Sequence, residues 1–361
     1  MKIIHTGDVH LGAATRNLPL EKAAIRKKEI LDGFRRLCAY AQGQGVAVVL
    51  IAGDLFDEER VDNALRVEVL SIIERSAPVC FFYARGNHDS GAFAQEGLPK
   101  NLYVFSKNRT WQSYDLPENI TITGVDGEYL SAEKYRELQL RPERYNIVVL
   151  HGELAQNERA ETGTIALTKL QGKYIDYLAL GHIHIPMQQT ARLDGRGVYR
   201  YCGCLEGRGF DECGKRGCFL LEIGEGRLLK EQFLSFATRE VCEVAADISA
   251  CETYYDVERA ALSALQSVNA QNIVKLVLRG RHKAGLSKDV SLLASRLSQN
   301  FFFVKVTDES SIVIDYAAFQ NDLSERGEFV REVCRYQMSE SERAEILDVG
   351  LKALAGEDID L

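Results

Sequence analysis

The chain has 361 residues, 46% of them hydrophobic, and a formal net charge of −8. That length supports a buried core and more than one domain without disulfide staples, and the acidic balance argues against a protein that coats nucleic acid by bulk electrostatics. The excess acid lies late: from residue 238 onward there are 14 basic and 21 acidic side chains, which leaves the first 237 residues near neutral.

Nine cysteines, scattered from Cys38 to Cys334, suit reduced thiols better than a disulfide framework. Polar residues interrupt the first apolar run within five positions, and no run reaches membrane-spanning length. The expectation is a soluble cytoplasmic protein with no membrane partner.

Residues 2–7 read as a short strand. Residues 20–42 carry Ala24, Leu31, Phe34 and Cys38 at helical spacing, and residues 46–52 are apolar throughout, as a strand buried on both faces should be. A second helix at about 63–76 leads to an apolar strand at 79–83. This β-α-β-α-β order predicts a mostly parallel sheet with helices packed on it. Runs at 102–105, 120–125 and 145–150 follow with fewer helical patterns between them, pointing to a second sheet. Strands at 177–181, 198–202, 217–223 and 228–236 are expected to continue it, the last two joined by a hairpin turn at Gly224-Glu225-Gly226. Two sheets, each covered outside by helices, make an α/β protein of four-layer α/β/β/α form.

The composition shifts around residues 237–243, which sets the expected domains at 1–237 and 238–361. The second reads as a small α+β cap with C-terminal helices. It has a helix at 253–267, a strand at 273–278, a helix at 287–299, strands at 301–306 and 312–315, and helical sequence over 329–354. Ser339 and Glu342 stand in capping-box spacing near the start of its final segment.

Polar clusters sit where the apolar runs of the first domain end. They are Gly7-Asp8-Val9-His10, Gly53-Asp54, Gly86-Asn87-His88-Asp89, His151-Gly152 and Gly181-His182-Ile183-His184. Six of the seven histidines precede residue 185, and five of those six follow apolar runs. Any one alone reads as a structural residue; together they read as a constellation. Two carboxylates, an amide oxygen and neutral imidazoles suit Mn, Fe, Zn or similar divalent ions and not a soft thiolate site. The count fits two metals. A shared Asp can bridge ions about 3.5 to 4 Å apart, and such a pair clamps the attacking and leaving oxygens of an in-line displacement at phosphorus. His5 lies inside the first strand and reads as structural, and His282, in the basic run 279–283, reads as a surface residue.

These five blocks, in this order, resemble the calcineurin-like metallophosphoesterases. The longer words His5-Thr6-Gly7-Asp8-Val9-His10-Leu11-Gly12 and Ala52-Gly53-Asp54-Leu55-Phe56-Asp57 resemble the SbcD family of DNA repair exonucleases, particularly its shorter YhaO-like branch. The stretch from Gly203 to Glu212 and the α+β tail look like that branch as well. The resemblance implies that Asp8, His10 and His184 hold a first metal, that Asp54 bridges, and that Asn87, His151 and His182 hold a second. Two divalent ions, with Mn2+ favoured, are the implied cofactors. His88 is left to protonate the leaving oxygen or steady the phosphoryl group. Asp57 has two readings, as the carboxylate that orients His88 and as a helix N-cap before Val61. Gly7 stands where the nuclease family often has Ser, a difference that bears on packing more than on ligation. Some relatives have His at the position of Asp57, so a two-histidine mechanism is not supported for this chain.

Other signals are weaker. Cys202, Cys204, Cys213 and Cys218 have only loosely zinc-like spacing, with buried or incidental thiols as the alternative. The basic residues Arg192, Arg196, Arg200, Arg208, Lys215 and Arg216 read either as a track for a phosphate backbone or as a solvated loop face. Arg85, beside Asn87, and Arg208 are the expected substrate contacts, and Arg279, Arg281 and Lys283 are further candidates to touch DNA. The helical end at 329–354 reads as a closure of the small domain. By resemblance it reads instead as a dock for an SMC-like coiled-coil ATPase of the SbcC kind.

The sequence therefore points to a dinuclear-metal-dependent DNA phosphodiesterase, an exonuclease that processes double-strand ends or single strands in repair. Its expected partners are DNA and an SMC-like ATPase, with a homodimer as a further option. A phosphomonoesterase or cyclic-nucleotide phosphodiesterase is the enzymatic alternative, and a DNA-end-binding scaffold for the ATPase is the alternative from another class.

Overall fold

β1 (Lys2–Thr6) alternates Ile3 and Ile4 to opposite faces of one sheet, and both are fully buried. The same two-sided burial recurs along the N-terminal part of the chain and makes its architecture. The elements in order are α1 (Leu20–Gly43), β2 (Val48–Ala52), α2 (Asn63–Arg75), β3 (Cys80–Ala84), β4 (Leu102–Val104), β5 (Gln112–Leu116), β6 (Ile120–Gly124), α3 (Ala132–Glu137) and β7 (Tyr145–His151). They continue with β8 (Glu153–Leu154), β9 (Thr164–Ile165), α4 (Leu167–Leu170), β10 (Tyr177–Gly181), β11 (Ala191–Arg192), β12 (Val198–Tyr201), β13 (Cys218–Gly224) and β14 (Arg227–Leu234). The computed structural model describes residues 1–13, 15, 18–57, 61–89, 97–105, 110–126, 130–155, 164–283, 286–313, 319 and 321–356. It divides into two units, Met1–Val241 and Cys242–Leu361.

In the first unit, one six-stranded sheet has the order β14-β13-β1-β2-β3-β4 and a second has the order β11-β12-β10-β7-β6-β5. β1 to β4 run parallel, as do β6, β7, β10 and β12. Ile3, Val48 and Leu50 from one sheet meet Ile122, Ile147 and Tyr177 from the other in a shared core. Their neighbours Ile4 and Val49 face outward onto Phe34 and Leu37 of α1, while Val148 and Leu178 face Tyr135 of α3 and Leu170 of α4. The result is the α/β/β/α sandwich, because strands apolar on both faces need a layer on each side.

The final hairpin belongs elsewhere than expected. β13 pairs antiparallel with β1, so β13 and β14 complete the first sheet and not the second. The physical reason is edge closure: without β13, the inner strand β1 would present a row of unpaired backbone groups. Their turn is as expected, with Gly224 opposite Arg227 and positive φ at both Glu225 (52°) and Gly226 (69°), the twist a two-residue hairpin needs. β5 was not anticipated. Its sequence, Gln-Ser-Tyr-Asp-Leu, alternates between partly and fully exposed positions at a sheet edge and has no apolar run to mark it.

The second unit contains β15 (Val241–Asp247), α5 (Tyr254–Ala264), β16 (Ile273–Arg279), β17 (Arg281–Lys283), α6 (Val290–Leu297), β18 (Phe303–Asp308) and β19 (Ser311–Val313), then α7 (Glu325–Arg335) and α8 (Glu340–Ala355). A three-stranded sheet, β15-β16-β18, and a pair, β17-β19, form its β structure. Val257, Val274, Leu276 and Leu293 are central to its core. The helical end is two helices, and the Ser339–Glu342 capping box starts α8, its final segment, as expected. Residues 314 and 315, expected to extend the last strand, lie outside the described residues. His282 is corrected: it is 2% exposed, with Nε2 2.8 Å from Lys288 Nζ. In β17 the flanking Arg281 and Lys283 point outward and His282 points in, an alternation that a three-residue basic run conceals.

Candidate metal centre

Parallel strands β1, β2, β3, β7 and β10 deliver their polar clusters to one end of the sandwich, the carboxyl end, where chain turns converge. The turns are held to one another by backbone bonds: Asp8 N donates to Gly53 O at 3.0 Å, His10 N to Asp54 O at 3.0 Å and Leu11 N to Leu55 O at 2.9 Å. Asp8, His10, Asp54 and His182 all have positive φ, at 47°, 49°, 45° and 104°. Such backbone costs on the order of 1 to 3 kcal/mol per residue and persists only where its surroundings over-determine it. Four polar residues bent this way around one point form a site whose geometry is enforced.

The close approach of the turns explains two glycines. A Cβ on Gly53 would lie 2.0 Å from His151 Nδ1, and one on Gly86 would lie 2.1 Å from Asp54 Oδ1. Gly7 is tight but less so: a Cβ there would lie 3.1 Å from Cys202 Sγ. Asp89 fastens two of the turns, accepting from Phe56 N at 2.9 Å, Leu55 N at 3.2 Å and Gly86 N at 3.0 Å. Burial, together with the nearby Asp54, lifts its pKa to about 6.

Three donor groups result, of which His10, Asp57 and His88 make the most exposed. Asp8, His10 and His184 offer atoms within 4.8 Å of one another, and so do Asp54, His151 and His182. Asp54 lies between them, with Oδ2 3.7 Å from His10 Nε2 and 3.4 Å from His151 Nε2. Asn87 Oδ1 is 3.0 Å from His151 Nε2, which adds it to the second set. Asp8 accepts the His182 backbone N–H on both oxygens, at 2.9 and 3.0 Å.

The ring partners favour one tautomer. His151 Nδ1 lies 2.9 Å from the Ala52 carbonyl, His184 Nδ1 lies 2.6 Å from Glu212 Oε1 and His10 Nδ1 lies 2.9 Å from Asp57 Oδ1. The Ala52 carbonyl and the two carboxylates only accept, so a proton on each Nδ1 would satisfy them and leave Nε2 its lone pair for a ligand. Burial lowers the His151 pKa to about 4 and lowers that of His10 as well, which keeps both rings in the neutral form that metals bind. Burial and the neighbouring Asp54 carboxylate push the Asp8 pKa well above its usual range. A divalent cation would relieve that crowding of anionic oxygen, and oxygen and imidazole donors are what such a cation takes. The residues present therefore fit a pair of divalent ions.

The expected site residues outside the ligand sets lie as follows. His88 is exposed, its ring 5.2 Å from that of His10, its N–H donating to Asp54 Oδ1 at 3.0 Å. The Asp57 carboxylate meets His10 at 2.9 Å and also has a His88 ring nitrogen within 4.8 Å, while His88 Nδ1 lies 3.3 Å from the Asp57 carbonyl. The described helix that follows, α2, is capped by Asp62 and not by Asp57. Arg85 pairs with Asp126 at 2.7 Å. Arg208, expected on substrate, is committed to Asp57 at 2.9 Å and Glu212 at 3.0 Å. Within the basic run, Arg196 takes Asp176, Arg200 takes Glu231 and Arg216 takes the Cys213 carbonyl, while Arg192 and Lys215 are exposed. The cysteines at 202–218 appear in no donor set close enough for an ion among the described residues. Glu212 was missed as a site residue; its signal was an acid four residues after an arginine in a glycine-rich loop.

This fold and these paired donor sets define a metallophosphoesterase. Residues 1–186 match the family model of the calcineurin-like phosphoesterases, and the chain belongs to that family. Among curated relatives, the DNA double-strand break repair protein Mre11 of Methanopyrus kandleri is 27% identical over 65% of this chain and 56% of its own length. The uncharacterized metallophosphoesterase YhaO of Bacillus subtilis is 26% identical over 64% of this chain and 59% of its own. A component of the nuclease SbcCD from Staphylococcus epidermidis is 23% identical, with 68% and 72% covered. The match thus spans little more than half the length of the first two.

Proposed function

We propose that this protein is a two-metal phosphodiesterase that hydrolyses DNA at ends during repair. The observation that carries the reading is the pair of donor sets sharing Asp54, which suits the two-ion clamp used for in-line displacement at phosphorus. The choice of DNA over a small ester draws on the names of the relatives, a break-repair protein and a nuclease component. In this reading Asp8, His10 and His184 hold one ion, Asn87, His151 and His182 hold the other, and Asp54 serves both. Mn2+ is the favoured metal for this oxygen and imidazole set. When bound, the ions supply charge neutralisation at the phosphoryl oxygens and a water acidic enough to attack.

His88 is the residue we assign to proton transfer. It is exposed beside both sets, and its Nδ1 is turned to the Asp57 carbonyl, which leaves Nε2 to meet the leaving oxygen. General acid catalysis of this kind contributes about a hundred- to ten-thousandfold. His88→Ala should lose that factor in DNA cleavage while binding two Mn2+ as the wild type does; undiminished cleavage removes His88 from the reaction. We further assign hydrolysis to Met1–Val241 and substrate choice to Cys242–Leu361, working with a companion protein as the S. epidermidis relative's name implies for that protein. Nine free thiols fit a reducing cytoplasm, and no helix among the described residues is long and apolar enough to cross a membrane.

The deciding experiment gives the purified protein end-labelled duplex, single-stranded and hairpin DNA, with bis-p-nitrophenyl phosphate alongside, in Mn2+, Mg2+ or Zn2+. Cleavage of DNA in Mn2+ is expected. Hydrolysis of the small ester alone would overturn the DNA assignment and leave a small-molecule phosphodiesterase.

A further inference from the structure

The imidazoles of the first donor set do not orient themselves. Behind His10 stands Asp57, with Oδ1 2.9 Å from Nδ1, and behind His184 stands Glu212, with Oε1 2.6 Å from Nδ1. One guanidinium joins the two carboxylates. Arg208 Nη1 donates to Asp57 Oδ1 at 2.9 Å, and Nη2 donates to Glu212 Oε1 at 3.0 Å. Its backbone N–H donates to the other Glu212 oxygen at 2.7 Å. Arg208 Nη2 and His184 Nδ1 approach to 3.2 Å as they converge on a single oxygen.

These contacts close a ring of side chains. It runs from His10 through Asp57, Arg208 and Glu212 to His184, and the two imidazoles meet again at Nε2, 3.2 Å apart. The ring ties the turn after β2 to a loop 151 residues later. His151, in the second set, is held differently, by the backbone carbonyl of Ala52. Two buried or half-buried carboxylates near one ion would repel each other and swing apart unless a cation held both. A planar, forked guanidinium reaches two acids at once, which the point charge of a lysine does not.

We propose that Arg208, Asp57 and Glu212 are positioning residues for one ion of the pair. Arg208 fixes both carboxylates, and through them it fixes both imidazoles as Nδ1–H tautomers with Nε2 turned to a common point. This rests on the two-ion reading above. Loss of such hydrogen-bonding partners behind a ligand typically costs about 10- to 100-fold in metal affinity.

The test is Mn2+ binding by the full-length protein, followed by equilibrium dialysis and by the electron paramagnetic resonance signal of the coupled pair. Wild type should take up two equivalents. Arg208→Met and Glu212→Gln should each weaken one equivalent about 10- to 100-fold and leave the other unchanged, so that a mononuclear signal replaces the coupled one at intermediate Mn2+. Glu212→Gln keeps an acceptor oxygen for His184 and Arg208→Lys keeps the charge. These two milder variants decide the matter if Arg208→Met does not fold. Combining Arg208→Met with Glu212→Gln should add little to the larger single effect, because the bridge acts as a unit. Folded variants that bind both ions like wild type, or that weaken both equally, overturn the bridge while the two-ion reading stands. Fewer than two equivalents in the wild type would instead overturn the two-ion reading and the bridge with it.

Discussion

His5, inside β1, and His151, at the end of β7, are both buried, yet they have opposite uses. His5 lies between the sheets with Nδ1 3.0 Å from Tyr177 Oη, and its Nε2 has no hydrogen-bond partner among the described residues. Burial, then the positive charge of Arg200, lowers its pKa to about 3. An unfolded imidazole protonates near 6.5, so the unfolded chain binds a proton that the folded one refuses. The stability this contributes is complete above pH 6.5 and is lost as pH falls from there toward 3. Urea midpoints measured from roughly pH 7 down to 4 should fall in the wild type and fall less in His5→Leu; identical slopes would clear His5. At the metal centre the matching prediction concerns Gly86. Gly86→Ala drives a methyl into Asp54 and should abolish Mn2+ uptake at both sites, read by dialysis, where a merely local packing defect would spare it.

At the scale of elements, caps and edges set the order. α5 begins with a complete capping box in which Thr253 Oγ1 accepts from Asp256 N and Asp256 returns to Thr253 N. Thr253→Ala should cost about 1 kcal/mol, seen as a lower urea midpoint for the second unit. Both capping-box helices carry their start signal within four residues, and the β13–β14 turn carries its signal in Glu225-Gly226, so these features are legible locally. The sheet that receives the hairpin is not, because β1 and β13 are paired across more than two hundred residues and either sheet offers an edge.

At the scale of the molecule, the two sheets touch at the site end. A Cβ on Gly181 would lie 1.8 Å from the Ala52 carbonyl of the facing sheet. Gly181→Ala should destabilise the first unit by at least about 1 to 3 kcal/mol, measured by urea unfolding in EDTA so that metal linkage does not enter. Metal itself should stabilise the fold: Mn2+ at a hundredfold excess over Kd adds about 2.7 kcal/mol for each site, and a melting temperature indifferent to Mn2+ would count against a built centre.

The sequence by itself marked the candidate donors. Asp8, His10, Asp54, Asn87, His151, His182 and His184 stand in polar clusters where apolar runs end, so their chemistry was legible locally, while the topology of two sheets brought those ends together. Only the tertiary structure decided who holds them. Asp57 meets His10, Arg208 pairs with two acids, and Glu212 enters the site from a loop after the last motif. The reason is that a buried carboxylate or guanidinium is assigned by whichever opposite charge folding brings within about 3 Å. That partner lies 28 residues away for His184 and Glu212 and 151 away for Asp57 and Arg208, far beyond any periodicity of helix or strand.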